Sequence, residues 1–477
     1  MTRHAMQDVE LEDARPAVAP VAGPRRPRVR WWWFGAVAVV AAVALVGAQG
    51  VLDGRERAAA ARYAAVPGVV APVGPGVRVV WRPPDALAGL VLGGVVSDGE
   101  LVGLEVADDG SQAVLALDQR TGHVTWSRSM FGPDPSRALS LDRPVAGRCA
   151  RAAEHEVACL VSNGFQHVDR AGSPAVVPAT ITRVVVLDTR DGRVLADHAA
   201  PRATSMAVLP GLVALSAPGQ GVTGQDLLTG AELWRYVPRS AGADLSEAAF
   251  TSAVQVFAAG DVVGVTNPGW SVALLDASGN VVRTPIPAIA GYRYDATTGV
   301  LALLSTTQSG QVRSTLVRSG RRDVDLAGNY LDVVVDDGSV PDLALTSDSS
   351  VRGWDTSTGR VRWTTNETAT GSALILRGRV YVPTMTGTVA FDGRTGAVVW
   401  RTTVTPGHVP GSLSTDGSSI LVADQPVAGQ ERSELLAYGV DDGRLLWQAP
   451  LPAGIRSSTS VGRVLLGLTT DGVAVLG

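Results

Sequence analysis

Cys149 and Cys159 sit in the stretch RCARAAEHEVAC and are the only thiols in the 477-residue chain. Two short segments flank them and can pair as a hairpin, with the cysteines on facing strands. Outside the cytoplasm that arrangement gives a structural disulfide. His155 lies between them and His167 follows, so zinc is the competing chemistry, although the spacing matches no standard zinc pattern. GQGVTG at 219–224 has the G-x-G-x-x-G form. A dinucleotide site needs a strand before that string and a helix after it, and QDLLTGAELW reads instead as a strand and a hairpin. The DDG triplets at 108–110, 336–338 and 441–443 could hold calcium weakly, but hairpin turns explain them equally well. The chain has no G-x-S-x-G, no H-E-x-x-H, and no lysine for a phosphate loop. No catalytic, cofactor-binding or metal-ligating residue is therefore assigned.

A different pattern dominates the sequence. FDGRTGAVVW at 391–400 returns as LDQRTGHVTW at 117–126 and WDTSTGRVRW at 354–363. Five glycines, Gly122, Gly230, Gly359, Gly396 and Gly443, each have a tryptophan four residues later: Trp126, Trp234, Trp363, Trp400 and Trp447. Asp118, Asp226, Asp355 and Asp392 stand four residues before the first four of those glycines; the last copy has Gly439 there. The aspartate can accept turn N–H groups, and the glycine supplies a positive φ. The tryptophan then stands on the next strand as an apolar plate for a neighbouring unit. Weaker copies occur at 187–196, 275–283 and 317–326.

Most copies recur every 37–50 residues, with strand-like text between them and no convincing helical period after residue 76. Four-stranded units of that length, stacked on one another, describe a β-propeller. The spacing predicts an all-β propeller of eight blades, with seven to nine compatible, over residues 77–477. A segment around 163–180 reads as an insertion, and 424–434 as a long loop. The chain stops after two strands and a hairpin, and PGVRVVW at 75–81 has the form of the missing fourth strand. The strand at 77–82 is thus expected to pair with the C-terminal blade and close the ring.

The Asp-x-x-Thr-Gly-x-x-x-Trp phrase resembles the repeat of pyrroloquinoline-quinone-like propellers across most of 77–477. The resemblance implies that Trp126, Trp234, Trp363, Trp400 and Trp447 are blade-docking groups. It also implies one of two branches: quinone- and calcium-dependent dehydrogenases, or non-catalytic binding propellers. The dehydrogenases carry two adjacent cysteines, which this chain lacks. The expectation is therefore a binding or scaffolding module with no cofactor, and a quinoprotein dehydrogenase is the alternative.

Composition and the N-terminus suggest where such a module works. The net charge of −4 offers no footprint for nucleic acid. Residues 1–30 read as a disordered cytoplasmic tail. Residues 31–52, WWWFGAVAVVAAVALVGAQGVL, carry no charge and are long enough to span a bilayer. Arg25, Arg26, Arg28 and Arg30 precede them and orient the span with the tail inside. A cleaved signal peptide is the competing reading. Residues 53–76 read as a stalk or linker. The expected protein is single-pass in the plasma membrane, its propeller outside, with a protein partner.

Overall fold

Alternating Val, Leu, Ala and Thr, interrupted by glycine turns, form short, almost entirely antiparallel strands in the propeller. The computed structural model describes residues 62–97, 99–134, 143–144, 147–168, 174–238, 254–267, 271–286, 289–295, 300–307, 309–317, 321–427, 432–470 and 472–477. The expected tail and membrane span, and the first part of the linker, lie outside the described residues. Among those residues no helix is long and apolar enough to cross a membrane.

The described residues build nine blades, each a four-stranded antiparallel sheet; blade 7 gains a fifth, parallel strand, Val333–Asp336, which branches from the first strand of blade 6 and pairs with Ala373–Leu376. In chain order blades 1 to 8 span 95–131, 147–199, 205–236, 255–286, 289–327, 329–364, 373–401 and 408–450. Blade 9 combines Ser457–Val461, Val464–Leu468 and Val473–Leu476 with Val79–Trp81 from the N-terminal side. Val79 pairs with Leu476 and Trp81 with Val475, both antiparallel. Each blade buries one face against the blade before it and the other against the blade after it. Nine apolar clusters result, one per neighbouring pair. One joins blades 1 and 2 through Ala116 and Val161, and another joins blades 9 and 1 through Leu466 and Leu117. The remaining seven link the other pairs in order, so the ring closes.

Two sequence expectations need correction. The blade number is nine, not eight. Every weak cue marks a real blade: the faint copy at 317–326 is the corner of blade 5, where Val324 meets the next corner's Gly359 in place of an indole, so the phrase lacks its tryptophan and counts for little in sequence. The absence of a helical period after residue 76 also fails: Asp85–Gly93 is a helix. Pro84 precedes it, Asp85 sits in its first turn, and Leu87, Leu90 and Val91 face the cluster between blades 9 and 1. Only three residues form its apolar face, and Ala and Gly fill much of the rest, so the period is faint.

The antiparallel connections divide the propeller into two faces. The turns joining strands one to two and three to four of each blade share one face, here the turn face. The connections joining strands two to three, and one blade to the next, share the other, the loop face.

Candidate functional site

The turn face is built from the repeated phrase, and each leading carboxylate is engaged there through its Oδ1. Asp392 Oδ1 accepts from the Arg394 and Thr395 backbone N–H groups at 3.1 and 2.9 Å and from the Thr395 hydroxyl at 2.8 Å. Asp226 repeats this with Leu228 and Thr229, and Asp355 with Ser357 and Thr358. Asp118 does so with Arg120 and Thr121. The Thr395 hydroxyl and N–H hold the Asp392 carboxyl below its ordinary value, and the Thr229 N–H and hydroxyl do the same for Asp226. At Asp118 burial pushes upward, but the hydrogen bonds outweigh it. Carboxylates held this way stay ionised and committed to the turn, so they are poor proton donors. The eighth corner solves the same problem differently. It has Gly439, and the Asp442 carboxylate occupies the space where a Cβ on Gly439 would lie, accepting from the Arg444 N–H at 3.1 Å.

Each corner also receives the neighbouring blade. Gly396 has φ +70°, and a Cβ there would lie 2.7 Å from the Trp363 ring. Gly122, Gly192, Gly279 and Gly443 meet Trp81, Trp126, Trp234 and Trp400 in the same way. The indole N–H then donates to the carbonyl one residue past the turn-leading position. Trp126 reaches Thr189 at 2.8 Å, Trp234 reaches Ala277 at 2.9 Å, Trp363 reaches Gly393 at 3.0 Å and Trp400 reaches Val440 at 3.1 Å. The glycine thus serves both backbone conformation and close ring approach. Trp447 instead packs into the cluster between blades 8 and 9, together with Val79 of the closing strand and Leu476. Three docking groups escaped the sequence reading: His198, whose ring lies over Gly230; Val324 against Gly359; and Arg283, which pairs with Asp323 at 2.9 Å. None of them shares a residue type that a motif could capture.

The stretch read as a linker is, from residue 62, part of the turn face. Val69, Val70 and Val73 are buried. Val70 N–H donates to the Thr415 carbonyl and Ala71 N–H to the Arg463 carbonyl, in the first turns of blades 8 and 9. The Arg463 side chain returns to the Ala64 carbonyl at 2.9 Å. The Tyr63 ring lies 4.9 Å from the Arg377 guanidinium, which also pairs with Asp441 at 3.1 Å. Residues 62–77 form a strap across the inner turns of blades 7 to 9, leading directly into the closing strand. Alternating Val and Pro gave no periodic signal for it.

The loop face is irregular. Between strands two and three of blade 2, Phe165–Val168 and Pro174–Val177 form a hairpin that pairs with Arg143–Pro144 from the preceding inter-blade connection. The base of this arm is clamped. Asn163 Oδ1 accepts from the Thr180 and Ile181 N–H groups, and its amide donates to the Thr180 hydroxyl at 2.7 Å. In blade 8, His408 and Asp424 are buried side by side, with Nδ1 to Oδ2 3.2 Å, and the Thr405 hydroxyl donates to the same oxygen at 2.8 Å. Part of the 424–434 loop lies outside the described residues.

The residues with apparent chemistry fall into structural places. Cys149 and Cys159 are cross-strand partners within blade 2 and are joined as a disulfide. His155 sits in the turn between them; the His167 side chain lies outside the described ones. GQGVTG crosses a connection into the strand Gly221–Asp226. Asp109 caps its own turn through Ser111, and Asp441 pairs with Arg377 and Arg379. These residues do not fit a channel-bound quinone with calcium. Cys159 is fully buried in the apolar cluster between blades 1 and 2, and among the described residues no three His, Cys, Asp or Glu side chains converge.

The family comparison agrees with a repeat architecture. The repeat-family model described as outer membrane protein assembly factor BamB matches residues 110–288 and 331–472. No curated protein matches the chain in sequence. Among solved structures, BamB from Moraxella catarrhalis is 14% identical, with 80% of this chain and 93% of that chain covered and a TM-score of 0.38. The computationally designed Ika8 protein is 12% identical, covering 80% and 94%, at a TM-score of 0.36. The dihydro-heme d1 dehydrogenase NirN is 14% identical, covering 77% and 76%, at 0.37.

Proposed function

The chain belongs to the pyrroloquinoline-quinone-like repeat family described as outer membrane protein assembly factor BamB, and from that premise we propose that it is a membrane-tethered, extracytoplasmic, non-catalytic propeller that binds a protein partner through its loop face. The fold is a kind used as a protein-interaction scaffold. One observation carries the choice of face: the arm built from 143–144, 165–168 and 174–177. It adds a sheet that ring closure does not need, and the Asn163 clamp fixes its base. Rigidly presented irregular loops suit specific recognition, whereas the turn face repeats one occupied motif. The uncharged run at 31–52, preceded by four arginines, supports the tether and its orientation.

The test is site-specific photo-crosslinking of the full chain in its native membrane. A photoreactive side chain at Pro178 or Val427, both exposed on the loop face, is compared with one at Arg394 on the turn face. One discrete protein adduct from the first two positions and none from the third is the expected outcome. Adducts from Arg394 alone, or none from either loop position, would reject the loop-face reading.

A further inference from the structure

We propose that the turn face is the membrane-proximal face and that its rim rests on the bilayer surface; this rests on the tether reading above. Two independent observations point to it. The first is the length and exit point of the chain before the propeller. Only residues 53–61 separate the uncharged run from Arg62, the first described residue of the strap. Ten Cα steps from residue 52 to residue 62 reach at most about 35 Å, and about 15 Å if helical. The strap is held by the first turns of blades 7, 8 and 9, which lie at the inner strands rather than at the rim. A short tether leaving from the inner part of one face keeps that face toward its anchor.

The second observation is a belt of exposed apolar side chains at the turn end of the outer strands. In these blades the outer strand shifts register directly after the corner, as between Ala390 and Phe391 opposite Val398. Such a bulge leaves consecutive side chains pointing outward before the tryptophan turns in. Val124, Val194, Leu233, Val281, Val398 and Leu445 occupy these positions, each 41–58% exposed. They sit within three residues of the corner glycine, so the belt borders the turn face and not the loop face. A single exposed valine needs no explanation, but one or two at nearly every blade form a ring at one height. Apolar side chains at that height suit the boundary of a lipid headgroup layer. The tether supplies the proximity that makes weak contacts effective.

The experiment uses the full chain reconstituted in phosphatidylcholine–phosphatidylglycerol vesicles containing doxyl-labelled lipid. The native cysteines are bonded to each other, so Val124→Cys and Leu445→Cys report the belt, and Asn366→Cys and Val427→Cys report the loop face, each with a small fluorophore. Lipid quenching several-fold stronger at the belt is expected. Equal quenching at both faces, or stronger quenching on the loop face, overturns the inference. So does energy transfer between belt labels on separate copies without lipid quenching, because a second chain would then cover the belt. Vesicle flotation after carbonate washing separates the two levels: a chain that fails to float loses the tether and the orientation together. A chain that floats without face bias loses only the orientation.

Discussion

The corner between blades 7 and 8 and the corner between blades 5 and 6 do the same mechanical work with unequal means. At the first, Trp400 is buried, lies over Gly443 and shares the Val440 carbonyl with Arg379 at 2.8 Å and the Tyr381 hydroxyl at 3.2 Å. At the second, only a Val324 methyl approaches Gly359, at 3.0 Å from a Cβ built there. Both blades still pack through full apolar clusters. The propeller thus needs volume at every corner, and a polar lock only at some.

The largest expected effect tests that difference directly. Trp400→Ala should cost about 3–5 kcal/mol, read as the fall in denaturant midpoint, whereas Val324→Ala should cost under about 2 kcal/mol. The Val440 carbonyl keeps its other two donors, so the Trp400 loss is one of volume. Equal losses at both corners would mean that the larger indole plate adds nothing beyond the common cluster.

A smaller effect separates conformation from crowding. Gly396 and Gly359 share φ +70°, so alanine at either should cost about 1–2 kcal/mol in strain. At Gly396 the added methyl also meets the Trp363 ring at 2.7 Å, so Gly396→Ala should lower the melting temperature well beyond Gly359→Ala. Similar melting temperatures would show that the ring shifts freely.

The smallest effect concerns acid. Asp392 and Asp355 have carboxyls held below the unfolded value, Asp392 first by the Thr395 hydroxyl and Asp355 first by the Ser357 hydroxyl. A depressed carboxyl adds stability that is fully present above about pH 4 and is lost as pH falls through its folded value. Asp392→Asn should therefore lower stability at neutral pH and flatten its acid dependence below pH 4 by one proton's contribution. A parallel acid curve in the variant would show that Asp392 does not titrate with folding.

What could be read from sequence follows the same division. A corner that fixes a carboxylate, a positive φ and an indole demands three residue types at fixed spacing, so Asp392, Gly396 and Trp400 stand out without a structure. A corner filled by His198, Arg283 or Val324 demands only bulk, which many residues supply, and the blade count suffered for it. The strap is illegible for a related reason. Val69, Val70 and Val73 lie on neither a helix nor a strand, so no period marks them, and their burial depends on turns nearly 350 residues later. The His408–Asp424 pair was equally hidden, since its members sit on different strands.

The ninth blade has a consequence for how the protein comes into being. Val79–Trp81 is the first propeller strand to emerge during synthesis, and its partner among the described residues, Val473–Leu476, is the last of the propeller strands. For nearly the whole of translation the first strand waits beside an unfinished ring. Blades 1 to 8 can form as they appear, but the lid on the final sheet edge arrives only at the end. The strap just before that strand docks on blades 7 to 9, so it too has no binding site until late. Closure of the ring is thus gated by the segment that carries Val473–Leu476, and interruption before it would strand eight finished blades with an open seam.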